Sequence, residues 1–186
     1  LQVVYSLMEL DEYMEAKDYI ERVYTDIQKV SRILKTSNAA VNALLQAKYL
    51  DAEKRDIQVT LNVTSQFKDL PIPSWEMCRV LGNLIDNSFD ALLKVDSNRH
   101  LEIELFEDLK LYGFRVKNNG PLIPAQHLPK IFEAGFTSKA EKGHGMGLAI
   151  VKEIMAAHNS SITVVSNDHF TIFEGLIPRK EINQGK

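Results

Sequence analysis

Four short segments break into the otherwise regular patterning of the second half of this chain: NLIDNSFDAL (83–92), KNNGPLIP (117–124), IFEAGFTSK (131–139) and GHGMGLAIV (143–151). Any one of them is weak evidence, because glycine-bearing pieces are common in loops. In this order they are spaced like the wall, lid and floor of one pocket. A fold that accepts them must bring a helix face, a strand end and a helix start to one place.

The patterning around them states which elements are available. Ile57, Val59, Leu61 and Val63 alternate with polar residues, as a half-buried strand does. Pro71 and Pro73 then precede an expected helix over 74–94, with Met77, Leu81, Leu84, Ile85, Ser88 and Leu92 inward. Leu101, Ile103 and Leu105 are answered by Tyr112, Phe114 and Val116 across a turn near Asp108, which predicts an antiparallel hairpin. Residues 118–146 follow neither period and read as loop or lid. A helix over 146–158 and two strands near 162–165 and 170–177 close the chain. Helices on one face of a mostly antiparallel sheet predict an α/β two-layer sandwich.

Ahead of this, Tyr13, Ala16, Ile20, Val23, Ile27, Val30 and Leu34 recur at alternating three- and four-residue intervals, with charged residues between. That is the ladder of a coiled coil or bundle helix. Val3, Val4, Leu7, Met8 and Leu10 read as the end of an earlier helix, turning at 9–12. Such a hairpin buries its stripe best against a second copy, so a homodimer through the N-terminal helices is expected; the plainer alternative is a solitary hairpin. Ser37 or Asn38 is the expected cap of a third helix to about residue 55, with Val41, Leu44 and Leu45 inward.

Composition narrows the classes. A net charge of −3 gives no electrostatic ground for nucleic-acid binding. Cys78 is the only cysteine, which excludes an intramolecular disulfide and fits a reducing, cytoplasmic compartment. No apolar run approaches the roughly 18–20 residues a bilayer requires. The chain opens at Leu1 inside an apolar pattern, so a fragment is expected, with any membrane anchor upstream.

Asn83 and Asn87 stand one helical turn apart and project from the same face. A neutral amide oxygen is a hard ligand suited to Mg²⁺. The alternative, polar residues on a solvated face, is weakened because residues 84, 85, 88 and 92 already define the opposite face as buried. Gly143, Gly145 and Gly147 alternate just before an apolar-periodic helix. Successive amides there can point into one anion-binding hollow, and the helix start adds free N–H groups and a favourable dipole. Lys139 supplies a point charge suited to a phosphate. His144 has neither base nor metal partner and is given no catalytic role.

The set resembles the ATP-binding domain of sensor histidine kinases, in the GHKL superfamily, over roughly residues 40–180. The resemblance implies ATP and Mg²⁺ as ligands, with Asn87 the principal Mg²⁺ residue and Asn83 its support. With Lys139, these two are the expected catalytic residues. It further implies nucleotide contacts from Asn118, Gly120, Ile123, Phe132, Thr137, Ser138, Lys139, Gly143, His144, Gly145, Met146, Gly147 and Leu148. Phe132 and Phe136 would anchor the lid by burying their rings. Hydrolysing members of the superfamily carry glutamate where this chain has Asn83. An amide cannot deprotonate water near neutral pH, which favours transfer to a protein acceptor over hydrolysis.

Three positions depart from the family pattern. Asp90 stands where histidine kinases often have lysine. Leu122 replaces the second glycine of the Asp-Asn-Gly-Pro-Gly sequence. Asn118 replaces its aspartate, which accepts a hydrogen bond from the exocyclic amine of adenine. An amide oxygen can accept that bond, roughly twofold weaker without charge assistance, if it is turned the right way.

By this resemblance residues 1–36 are a partial dimerisation and phosphotransfer hairpin and 37–186 an ATP-binding catalytic domain. The first residues are similar to citrate- and dicarboxylate-sensor kinases just after their acceptor-histidine stretch. None of His100, His127, His144, His158 and His169 lies in the hairpin, so the acceptor is expected a few residues upstream, lost or never present. The expected partner is a response regulator receiver domain. The rival readings are a phosphorelay or interaction protein that has lost ATP binding, and a GHKL ATPase or anti-sigma-type serine kinase.

Overall fold

Residues 2–17, 19–20, 36–136 and 145–179 are described by the computed structural model. The chain divides into two compact units, Leu1–Leu34 and Lys35–Lys186. In the first, helix α1 (Gln2–Glu9) ends where Asp11 takes a positive φ of 60°, and residues 13–17 and 19–20 are again helical. The Glu12 N–H returns to the Leu7 carbonyl at 2.9 Å, so the expected turn is in place. Tyr5, Leu10, Tyr13 and Met14 are all more than half exposed in this unit. Val23, Ile27, Val30 and Leu34 of the predicted ladder lie outside the described residues.

The second unit opens with α2 (Ala39–Lys54), and of the two expected caps it is Asn38 that accepts the Val41 N–H. Strand β1 (Gln58–Val63) follows, then α3 (Ser74–Leu92), which begins directly after Pro73. All six residues expected on the inner face of α3 are buried, joined by Val80 and Phe89. The hairpin β2 (His100–Glu107) and β3 (Leu111–Asn118) pairs Ile103 with Val116 and Leu105 with Phe114. Helix α4 (Gly147–Ala157), β4 (Ser161–Ser166) and β5 (Thr171–Pro178) complete the unit.

The sheet order is β1-β2-β3-β5-β4, antiparallel throughout except for β1 beside β2, which is parallel. One face of its centre carries Leu101, Ile103, Leu105, Phe114, Val116 and Phe173, all buried, and α3 packs on β3. The other face carries charge. Arg115 pairs with Glu104 at 2.8 Å and with Glu174, and Lys117 pairs with Glu102 at 3.1 Å. Apolar residues on alternate positions require helices on one side only, and the result is the two-layer arrangement.

The β2–β3 turn offers a pH test. The Asp108 carboxylate accepts the N–H groups of Lys110 and Leu111 at 2.7 and 2.9 Å, and these bonds hold its pKa below the ordinary aspartate value. A depressed folded pKa contributes stability above the unfolded pKa and loses it as pH falls through the folded one. Asp108→Ala is therefore expected to lower Tm at neutral pH by an amount that shrinks on acidification through the aspartate range. A difference that stays constant with pH would contradict this.

Candidate nucleotide site

A cavity of about 440 Å³ opens where α3, the segment after β3 and the start of α4 converge. Its polar wall is one face of α3: Asn83, Asp86, Asn87 and Asp90, continued by Lys94 beyond the helix end. Steps of three and four residues place all of them on one side. The apolar wall includes Ala91, Leu122, Ile123, Ile131 and Phe173, the last contributed by β5.

The two asparagines are held differently. Asn83 Nδ2 donates to the Arg79 carbonyl one turn back, at 2.7 Å, which fixes the direction of its amide. Its Oδ1 then lies only 2.7 Å from where a Cβ on Gly147 would stand, so only glycine lets the start of α4 approach this closely. Asn87 is half-buried, and its amide has no hydrogen-bond partner among the described residues. The Asp86 carboxylate meets Lys48 of α2 at 2.5 Å. An all-oxygen donor set of amides and carboxylates suits a hard divalent cation such as Mg²⁺.

The floor is the entry to α4. Gly145 has φ 120°, and a Cβ there would stand 2.9 Å from the Phe136 carbonyl oxygen. The Gly135 N–H donates to the Gly145 carbonyl at 3.2 Å, which holds these two glycines together. Among the described residues no side chain caps α4, and Gly145, Met146, Gly147 and Leu148 all line the cavity. Free N–H groups at such a helix start favour an anion. The strap after β3 is pinned by the Ile123 N–H, which donates to Ser166 Oγ at 2.9 Å; Ser166 in turn bonds Thr171 at 2.7 Å.

Of the residues expected at the site, Asn83, Asn87, Ile123, Gly145, Met146, Gly147 and Leu148 meet at this cavity. Thr137, Ser138, Lys139, Gly143 and His144 lie outside the described residues. Asn118, Gly120 and Phe132 are not in the lining. Asn118 is buried, with its amide engaged by Ser88 and Gly120. Phe132 is half-buried, edge-on to Phe173 at 6.4 Å, while Phe136 lines the cavity and packs against His127 at 5.4 Å. Sequence reading missed Asp86, Ala91, Lys94, His127, Ile131 and Phe173. Helical spacing from Asn83 and Asn87 points to Ala91 and Lys94; no local signal marks Phe173. Cys78 stands outside the lining, and burial pushes its thiol pKa up, which disfavours the nucleophilic thiolate.

Comparison with known proteins agrees with this geometry. The profile of the family described as "Histidine kinase-, DNA gyrase B-, and HSP90-like ATPase" matches residues 75–181, and that of the SpoOB-type sensor kinase alpha-helical domain matches residues 1–36. A "Probable C4-dicarboxylate sensor kinase" of Halalkalibacterium halodurans is 29% identical over 97% of this chain and 35% of its own length. "Sensor protein CitS" of the same organism is 29% identical over 100% of this chain and 36% of its own. The chain thus spans about a third of the length of these relatives.

Among solved structures, the catalytic domain of histidine kinase ThkA superposes with a TM-score of 0.64 at 25% identity, covering 76% of this chain and 93% of that one. The same kinase in complex with response regulator TrrA gives 0.62 at 19% identity, over 93% of this chain and 52% of that one, a likeness of fold. In the described helices nothing is long and apolar enough to cross a membrane. From the four ordered segments, the sheet with helices on one face and the profile match over more than half its length, this chain belongs to the histidine kinase-, DNA gyrase B- and HSP90-like ATPase family.

Proposed function

We propose that this chain is the catalytic portion of a sensor histidine kinase, binding Mg-ATP for transfer of the γ-phosphoryl to a histidine and relay to a response-regulator aspartate. The observation that carries this reading is the meeting of Asn83 and Asn87 with the Gly145–Leu148 turn across one cavity. In the proposal the apolar wall of Ala91, Ile123, Ile131 and Phe173 takes the base. The backbone N–H groups of residues 143–148 cradle phosphate, and Lys139 offsets its charge as the phosphoryl group moves. Phe132, Thr137 and Ser138 are further proposed nucleotide contacts, with Gly120 in the strap after β3. Asn87, supported by Asn83, would hold Mg²⁺, which when bound neutralises phosphate charge.

Residues 1–36 would be the dimerisation and phosphotransfer hairpin and 37–186 the catalytic domain. The exposed apolar side chains of the first unit, Tyr5, Leu10 and Met14 among them, suit a homodimer. Since residues 1–35 contain no histidine, the acceptor would lie outside this sequence, and any membrane anchor would belong to the whole protein. A response regulator is the expected partner, as it is for the histidine kinase ThkA in its solved complex.

A second reading has a specific observation behind it. Asn118 is buried and Leu122 stands at the cavity rim, which suits a phosphorelay or interaction protein without ATP binding. Thermal unfolding with Mg²⁺ and a non-hydrolysable ATP analogue separates the two. A ligand at a hundredfold excess over its Kd stabilises the native state by about 2.7 kcal/mol, which is the result expected here. An unchanged Tm at millimolar nucleotide would remove the kinase reading and leave the second.

A further inference from the structure

We infer that His127 hydrogen-bonds the sugar hydroxyls of the bound nucleotide, so that the site prefers a ribonucleotide to one whose sugar lacks them; this rests on the nucleotide-binding reading above. Among the described residues that line the cavity, the polar side chains lie on α3 and its continuation at Lys94, with one exception, His127. It stands in the strap after β3 and is half-buried. Its backbone is tied on both sides: the N–H donates to the Pro124 carbonyl and the carbonyl accepts the Lys130 N–H, each at 2.8 Å. Its ring meets Phe136 edge-on at 5.4 Å between centroids. The ring nitrogens have no hydrogen-bond partner among the described residues. In its neutral form an imidazole carries one donor and one acceptor, and contact with Phe136 uses neither.

The position of His127 points to the sugar. In the proposed pose the base lies on the apolar wall and the phosphates lie at the start of α4, so the sugar spans the gap. His127 touches both ends of that gap. It follows Ile123 of the apolar wall by four residues. The Phe136 against which it packs has its carbonyl oxygen 2.9 Å from where a Cβ on Gly145 would stand. The chemistry agrees. Phosphate oxygens only accept, and the N–H groups of the helix start serve them. A hydroxyl both donates and accepts, as a neutral imidazole does.

The bland alternative is that His127 only packs on Phe136, and His127→Phe separates the two. It keeps an aromatic ring at the contact and removes both nitrogens. The experiment measures Kd for ADP and for 2′,3′-dideoxy-ADP by calorimetry in the parent and in the variant, with melting in the absence of nucleotide to show that each is folded. The parent is expected to prefer ADP about tenfold, the equivalent of one hydrogen bond. In His127→Phe the two affinities are expected to become equal, through weaker ADP binding with the dideoxy compound unchanged. His127→Leu repeats the comparison without a ring and is expected to lose the preference as well. A parent that binds both compounds equally, a preference that survives in the variants, or an equal weakening of both compounds overturns the sugar contact while nucleotide binding stands. A parent chain that binds neither compound removes the nucleotide-binding reading itself.

Discussion

Asn87→Ala is expected to abolish the Mg²⁺-dependent part of nucleotide binding while leaving the fold in place. The two effects separate because of how Asn87 is held. Its amide faces the cavity, half-buried, and bonds no other described residue, so truncation breaks nothing inside the protein. The stability cost should stay within about 0.5 kcal/mol, as for side chains outside the packed core. Binding is different: the amide oxygen is the proposed ligand. Asn83 is turned by its bond to Arg79, and Asp86 is paired with Lys48. Titrating nucleotide at fixed and at zero Mg²⁺ tests the point. A loss of at least about tenfold in affinity, about 1.4 kcal/mol, should appear only with the metal present. Equal Mg²⁺ dependence in variant and parent would take Asn87 out of the metal site.

The largest stability effect is expected at Phe114. Its side chain is fully buried at the centre of the sheet, on β3, with β2 on one side and β5 on the other. A Cβ on Gly175, its partner in β5, would stand 2.1 Å from the Phe114 ring, so the ring covers the space that a side chain there would fill. Phe114→Ala removes the ring and leaves a void walled by backbone on that side. A cost of about 3–5 kcal/mol is expected, a large share of the 5–15 kcal/mol that holds a domain together. Urea denaturation measures it as a lower midpoint with an unchanged slope. A cost below about 1 kcal/mol would mean that the sheet centre collapses around the loss.

Much of the fold was legible because its signals are local. The register of β2 against β3 follows from the alternation of Leu101, Ile103 and Leu105 facing Phe114 and Val116. The inner face of α3 follows from helical spacing, and the same spacing puts Asn83 and Asn87 together on the other side. The glycine turn before α4 announced itself by composition, and Gly145 and Gly147 do occupy positions where a Cβ would collide.

Other features have no local signature. Strand β5 inserts between β3 and β4, and β1 joins β2 in parallel, because sheet order depends on which apolar faces the helices must cover. That is a property of the whole unit. Phe173 reaches the cavity wall from β5, far along the chain from the other lining residues, and its alternation marks only an inward side chain. The engagement of Asn118 with Ser88 links residues thirty positions apart, and only the packing of α3 on β3 brings them to 3.1 Å.

The sequence by itself therefore determined the elements, through periodicity, and pointed to the family and to candidate site residues, through the resemblance of four ordered segments. Tertiary structure alone decided which of those residues share a cavity and which are turned away by hydrogen bonds. Orientation and burial are set by partners distant in the chain, and no local period carries them.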